Sequence, residues 1–235
     1  MRQIVSAACG FLFAVTLAQG AQAQGEPGVV VELYTSQGCS SCPPADDFMA
    51  VLADEPGVIA LALHVDYWDY LGWADAFAQA QFTDRQKAYA RSAGKKMIYT
   101  PQMIVGGQDR MVGHKVEDVR AAIARHAGLP RDVRLTVTRE GDTIRITATA
   151  VPPADRRLRV QLVRYLPEQQ VAIERGENAG RIVTYRNIVT SWQGVGEWHA
   201  MTPLDMGLPA QGDEPVVVIL QEDGPAQIVA AAALR

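Results

Sequence analysis

The chain has 235 residues, a formal charge of −4 and 48% hydrophobic residues. With 20% charged residues, its composition is neither that of a disordered chain nor that of a collagen-like one. A pI near 5.6 gives no support for a nucleic-acid partner, because proteins that bind nucleic acids usually carry a basic surface. Three cysteines are too few for a disulfide scaffold, and their odd number needs an explanation.

The first 23 residues have the layout of a secretory signal peptide. A short positive start precedes a mostly apolar run over Ile4–Leu17, and Ala21-Gln22-Ala23 offers small residues around a cleavage point. This run is shorter than the ~20 residues that cross a membrane, so an uncleaved anchor is the less favoured alternative. Cys9 lies inside the segment, and cleavage would leave only Cys39 and Cys42. We therefore expect a periplasmic or secreted protein without stable membrane insertion, in a compartment where disulfides persist.

Residues 28–128 alternate between strand-like and helix-like segments. The predicted elements are a strand over Val29–Tyr34, a helix over Pro43–Ala53, a strand over Val58–Val65, a helix over Trp73–Ala93, strands over Gln102–Val105 and Met111–Gly113, and a helix over Val116–His126. This order predicts a mixed α/β sheet with helices on its faces. Residues 67–95 are predicted to be a helical insert.

A boundary is predicted at Leu129-Pro130-Arg131, and beyond it apolar and polar residues alternate with period two. Predicted strands include Leu135 with Val137, Ile144–Ala148, Leu158–Leu162, Ile182–Val189, Val216–Leu220 and Ile228–Ala232. About seven short strands over residues 130–235 predict an all-β, sandwich-like C-terminal domain.

The segment Cys39-Ser40-Ser41-Cys42 follows the first strand and opens the first helix. A thiol at a helix N-terminus is near unpaired N–H groups and the positive end of the dipole, which favour the reactive thiolate. We expect Cys39 to attack a disulfide and Cys42 to resolve the mixed disulfide. No dissociable cofactor is needed, since the dithiol carries two electrons. The alternatives are a permanent structural disulfide or a Cu(I) site that includes His64 or Met103.

Five polar or aromatic residues lie at or just beyond the end of the second predicted strand: His64, Asp66, Trp68, Asp69 and Trp73. Ligands of open α/β sheets bind at this edge, where Cys39 is also expected. The residues at this edge predict a substrate groove in which His64 or Asp66 assists proton transfer. The alternative is that His64 and the aromatic residues pack the insert onto the sheet.

Glu32 stands in an apolar strand near Cys39. It is either a proton acceptor whose pKa burial raises or, as we favour slightly, a structural acid bonded to the backbone or an arginine. The polar residues of 177–181 and 185–187 are interpreted first as a turn, with a recognition surface or a contact between the halves as alternatives. Three single histidines are interpreted as non-catalytic: His114, His126 and His199.

The order of elements, with C-x-x-C at the first helix, resembles the thioredoxin superfamily. Thr100-Pro101, just before the third strand, matches its cis-proline position. The resemblance implies a cis bond that faces the cysteine pair, with Pro101 in the active site and Thr100 beside the bound substrate. It also implies that the partners are thiols or disulfides of exported proteins or small molecules, together with a redox partner.

Three stretches are closely similar to a narrower family: residues 31–46, 64–69 and 99–102. On these motifs the chain is identified as a member of the secreted, thioredoxin-like bacterial family called domain of unknown function 1223. The resemblance covers most of the mature chain. It implies an exported thiol–disulfide oxidoreductase. From the acidic pI we expect no nucleic-acid partner, and we expect no metal at the site.

Overall fold

The computed structural model describes residues 24–235, so the predicted signal peptide and Cys9 lie outside the described residues. The helices are α1 (Pro43–Ala53), α2 (Ala80–Ser92) and α3 (Val116–Ala127), with a 3-10 turn at Asp69–Leu71. The strands are β1 (Glu26–Pro27), β2 (Val29–Thr35), β3 (Val58–His64), β4 (Gln102–Val105), β5 (Asp109–Val112), β6 (Val133–Glu140), β7 (Thr143–Ala150), β8 (Arg157–Ala172), β9 (Ile182–His199), β10 (Leu204–Pro209), β11 (Val216–Gln221) and β12 (Ile228–Leu234). Within this range no helix has both the length and the apolar character that crossing a bilayer requires.

The strands β2 and β3 form the centre of a mixed sheet. Every residue of both strands is buried, as expected for parallel strands that are covered on two faces. They pair in parallel, β4 pairs antiparallel with β2, and β5 pairs antiparallel with β4. α1 and α3 pack on one face through a shared apolar cluster. The mixed α/β sheet predicted from the alternating pattern is therefore confirmed.

The two halves of the chain share this sheet. Its nine strands run in the order β1-β12-β11-β8-β9-β3-β2-β4-β5. β9 joins the halves, because it pairs with β8 along most of its length and with β3 where Ile188 lies opposite Ala62. The other strands form a three-stranded sheet in the order β10-β7-β6. The C-terminal half thus has two β layers, and its larger layer continues into the N-terminal half.

The large sheet curls, so that its edge strand returns to its centre. Only Gly28 separates β1, which pairs with β12, from the central strand β2. A Cβ atom at Gly28 would lie 2.8 Å from the Ile59 side chain, so the close approach requires glycine. One apolar cluster fills the inside of the curl, and a second lies between β8, β11 and β12 and the three-stranded sheet.

The predicted helix over Trp73–Ala93 is wrong in its first two turns, since α2 begins at Ala80. The Asp75 carboxylate accepts the backbone N–H groups of Gln37 and Phe77 at 2.8 and 2.9 Å. These bonds hold residues 73–79 as a loop against the first half of the sheet. Aspartate commonly competes with a helix in this way by bonding nearby backbone groups.

Candidate functional site

The loop between β2 and α1 carries the two cysteines. Cys39 and Cys42 form a disulfide, and Cys42 directly precedes Pro43, the first residue of α1. Proline fits this position because the first helical turn has N–H groups without partners in the helix. The disulfide is nearly closed to solvent, with exposed fractions of 3% for Cys39 and 0% for Cys42. A helix N-terminus of this kind favours a thiolate once the bond is reduced.

The Thr100–Pro101 turn lies against the cysteine loop. Its peptide bond is cis, as the sequence resemblance implies. The Ser41 hydroxyl donates to the Thr100 carbonyl oxygen at 3.4 Å and lies 3.5 Å from the Cys39 sulfur. The Trp68 indole N–H donates to the Thr100 hydroxyl oxygen at 2.7 Å. Cys39, Thr100 and Trp68, three of the residues selected from the sequence, are thus linked through a few contacts.

His64 and Asp75 form a buried pair behind the cysteine loop. His64 Nδ1 lies 2.7 Å from Asp75 Oδ2, and neither side chain is exposed. The same Asp75 oxygen accepts the Gln37 backbone N–H. Burial raises the pKa of Asp75, but His64 and two backbone N–H groups outweigh it and leave the pKa below its ordinary value. The pair therefore ties the end of β3 to the loop that holds Cys39.

His64 packs against aromatic rings, and Asp66 accepts a hydrogen bond from α2. The His64 ring meets the rings of Phe77 and Tyr185 edge to face, with centroid distances of 5.2 and 4.9 Å. Asp66 Oδ1 accepts the Thr83 hydroxyl of α2 at 2.5 Å. The ring contacts of His64 correspond to the packing alternative that the sequence left open for His64 and the aromatic residues.

Asp46 is a buried acid that the sequence analysis did not select as a site residue. It stands one helical turn after Cys42, and its Oδ1 accepts the Thr35 hydroxyl at 2.7 Å. Burial raises the pKa of Asp46 to about 7, against the lowering effects of the Thr35 hydrogen bond and of His64. A carboxyl group with this pKa exchanges protons near neutral pH.

The hairpin formed by the end of β8 and the start of β9, residues 167–187, is called the arm here. Its Asn178 side chain donates from Nδ2 to the carbonyl oxygens of Gln37 and Cys39, both at 2.9 Å. Only 2% of Asn178 is exposed. The segment 177–181, interpreted first as a simple turn, therefore docks the C-terminal half on the cysteine loop. The docking was the alternative that the sequence analysis left open.

Glu32 is a structural acid bonded to an arginine. Arg85 donates to both of its carboxylate oxygens, at 2.7 and 2.9 Å, and the hydroxyls of Tyr34 and Tyr89 donate to it at 2.8 and 2.6 Å. The Arg85 guanidinium also lies 3.8 Å from the centre of the Trp192 ring. Four charged or polar donors hold this carboxylate, which agrees with the role favoured from the sequence.

The residues considered for a copper site lie in separate surroundings. Met103 is fully buried in the apolar cluster under α1 and α3, and His64 is bonded to Asp75. Among residues 24–235, no three His, Cys, Asp or Glu side chains are grouped to hold a metal ion. His126 pairs with Asp109 and His199 with Asp155, each at 2.8 Å.

Two residues of this site were missed from the sequence, Asp46 and Asp75, and Asn178 was noted without its partners on the cysteine loop. Asp46 had a usable signal, because an acid four residues after Cys42 lies on the same helix face as that cysteine. No local signal indicated the partners of Asp75 and Asn178, since these residues are 38 and 139 positions from the loop residues they contact.

Comparison with solved structures identifies two similar chains. One is the crystal structure of protein AGR_C_4864 from Agrobacterium tumefaciens, with 34% identity, a TM-score of 0.75, and coverage of 88% of this chain and 93% of that one. The other is HBP35 of Porphyromonas gingivalis, with 12% identity, a TM-score of 0.61, and coverage of 89% of this chain and 75% of that one. At 12% identity the second likeness concerns the fold alone.

No curated protein matches this chain. A family model described as "Protein of unknown function (DUF1223)" matches residues 30–221. The match includes the cysteine loop, the Thr100–Pro101 turn and the arm. The chain therefore belongs to the DUF1223 family of proteins of unknown function.

Proposed function

We propose that this protein is an exported thiol–disulfide oxidoreductase built on a thioredoxin-like fold. The observation that carries the proposal is the Cys39–Cys42 disulfide at the start of α1, beside the Thr100–Pro101 turn. The strand order β3-β2-β4-β5, with α1 and α3 on one face, agrees with the arrangement that the thioredoxin resemblance implies. The partners are thiols or disulfides of exported proteins or small molecules.

The chemistry needs only the two cysteines. In the reduced protein the Cys39 thiolate attacks a substrate disulfide, forms a mixed disulfide and releases one substrate thiolate. Cys42 then attacks the Cys39 sulfur, which releases the second substrate thiolate and restores the Cys39–Cys42 bond. Two electrons pass to the substrate, and the reverse sequence oxidises a substrate dithiol.

Asp46 is proposed to accept the proton that Cys42 loses in the second step. Its pKa of about 7 suits proton uptake near neutral pH, and it lies on the helix that Cys42 precedes. His64 and Asp75 hold the loop from behind and act as positioning residues. Trp68 and Thr100, which are joined by a hydrogen bond, are proposed to contact the substrate near Cys39.

A permanent structural disulfide is the second candidate. It is favoured by the burial of both cysteines, of which the more exposed, Cys39, shows 3% of its surface. Exported proteins use such bonds for stability. In that case the bond would have a low reduction potential and would not turn over.

The test uses the purified mature protein. Its reduction potential is measured in glutathione buffers, and its turnover is measured by the reduction of insulin with dithiothreitol. We expect turnover that Cys39→Ser abolishes, with Cys42→Ser trapping the mixed disulfide. A potential below ~−300 mV together with no turnover would establish the structural alternative. Full activity of Cys39→Ser would refute the assigned nucleophile.

A further inference from the structure

A groove of about 570 Å³ runs between α1 and the arm. Its walls are Pro43, Asp47 and Ala50 on α1, and Glu168, Arg186 and residues 181–184 on the arm. Pro43 directly follows Cys42, so one end of the groove lies at the first turn of α1, next in sequence to the buried disulfide. At the other end Arg186 forms an ion pair with Asp54, with 2.7 Å between Nη2 and Oδ1. The groove therefore follows α1, with the residue next to Cys42 in its lining, although neither cysteine lines it.

The β9 wall of the groove is a free strand edge. On one side β9 pairs with β8, and on the other it pairs with β3 at Ile188 alone. The Ile173 N–H donates to the Arg181 carbonyl oxygen at 2.9 Å, so Arg181 directs its carbonyl toward β8. Backbone groups alternate in direction along an antiparallel strand, so those of Ile182 and Thr184 point away from β8. Such an edge is a template for another extended chain.

The side chains on the walls suit a polypeptide. Ile182 has 69% of its surface exposed, which is unusual for a large aliphatic residue in a strand. Asp47 and Arg181, both exposed, place opposite charges on the two walls. Residues 182–186 extend about 16 Å at ~3.3 Å per residue, enough to pair with a short peptide segment. The extended run ends at Asn187, whose φ is 49°.

We propose that this groove binds an extended segment of the substrate polypeptide, which adds to β9 as a further strand and brings its disulfide to Cys39. The inference rests on the proposed function and names its substrate class as polypeptide disulfides. Backbone pairing with β9 supplies affinity, and the exposed Ile182 side chain contacts an apolar side chain of the bound segment.

Two variants separate backbone pairing from side-chain contact. Ile182→Glu removes the apolar contact and places a charge in the groove. Thr184→Pro removes an N–H that faces the groove, which an edge strand tolerates because that group does not bond β8. Val51→Glu is the matched control, since Val51 is a β-branched residue of α1 that is 55% exposed and outside the groove. Thermal unfolding checks that each variant folds.

Turnover is measured with insulin and with hydroxyethyl disulfide, a small disulfide without a peptide chain. We expect both groove variants to lower kcat/KM for insulin about tenfold, through KM, and to change turnover of hydroxyethyl disulfide less than twofold. Val51→Glu should match the unsubstituted protein with both substrates. Equal losses with the two substrates, or no loss with insulin, would overturn the inference.

A binding measurement distinguishes failure of the groove from failure of the proposed function. The probe is fluorescent, carboxymethylated insulin B chain, which has no free thiol, and binding is followed by anisotropy. If the protein turns over neither disulfide, the proposed function fails. The binding measurement alone then tests whether the groove binds a polypeptide. Binding that both groove variants weaken about tenfold supports the inference, whereas absent binding or unchanged affinity refutes it.

Discussion

Replacing Asp46 by asparagine tests the buried acid behind the disulfide. Burial raises the pKa of Asp46 from its ordinary 3.8 to about 7. Between these values the folded protein keeps a proton that the unfolded chain has released, so stability falls as the pH rises through this window. Each pH unit corresponds to about 1.4 kcal/mol, which gives an upper bound of about 4 kcal/mol for the cost of ionising Asp46 in the folded state.

Asp46→Asn removes that cost and keeps an oxygen that accepts the Thr35 hydroxyl. We expect the variant to be within about 1 kcal/mol of the unsubstituted protein at pH 4. At pH 8 we expect it to be more stable, by as much as about 4 kcal/mol. The free energy of unfolding is measured in urea between pH 4 and pH 8, with the disulfide intact and with equal m-values as the condition for comparison.

Asp47→Asn is the control, because Asp47 neighbours Asp46 on the same helix but is exposed. This substitution should change the free energy of unfolding by less than about 0.5 kcal/mol at either pH. The reasoning is refuted if Asp46→Asn is no more stable than the unsubstituted protein at pH 8. It is also refuted if the difference between the two proteins does not change with pH.

Two further predictions concern stability, measured by urea unfolding. Arg85→Met leaves the Glu32 carboxylate buried without its cation, so we expect the free energy of unfolding to fall by about 3 kcal/mol or more. A fall below about 1 kcal/mol would contradict this expectation. Gly107→Ala should destabilise the protein more than Gly141→Ala, although φ is positive at both positions. A Cβ atom at residue 107 would lie 2.1 Å from the Ala226 carbonyl oxygen, whereas nothing lies within 4 Å of a Cβ atom at residue 141. Equal losses of stability would show that the positive φ alone determines the cost.

Local sequence pattern was sufficient for the elements around the disulfide. The apolar run that forms β2 is followed by Cys39, then by Cys42 and Pro43 at the start of α1, as the sequence predicted. These features depend on residues a few positions apart, and the capping preferences of a helix start act over that distance. The alternation of Val31 and Leu33 with Glu32 likewise placed the acid on the opposite face of the strand from its apolar neighbours.

Local sequence pattern was insufficient where a contact joins distant segments. Periodicity predicted a helix from Trp73, but Asp75 bonds to Gln37 across 38 positions and holds that stretch as a loop. Similarly, polar residues around Asn178 were read first as a turn, because nothing nearby in the chain identifies the carbonyl groups that they meet.

The sequence by itself therefore determined the mixed sheet, the position of the cysteine pair at a helix start and, by resemblance, the family. Only the tertiary structure decided that the two halves share a sheet and that the arm closes over the cysteine loop. Both depend on pairing across the chain: Ile188 beside Ala62, and Asn178 bonded to Cys39. Hydrophobic periodicity reports which face of a strand is buried, whereas the choice of its neighbour depends on the packing of the whole chain.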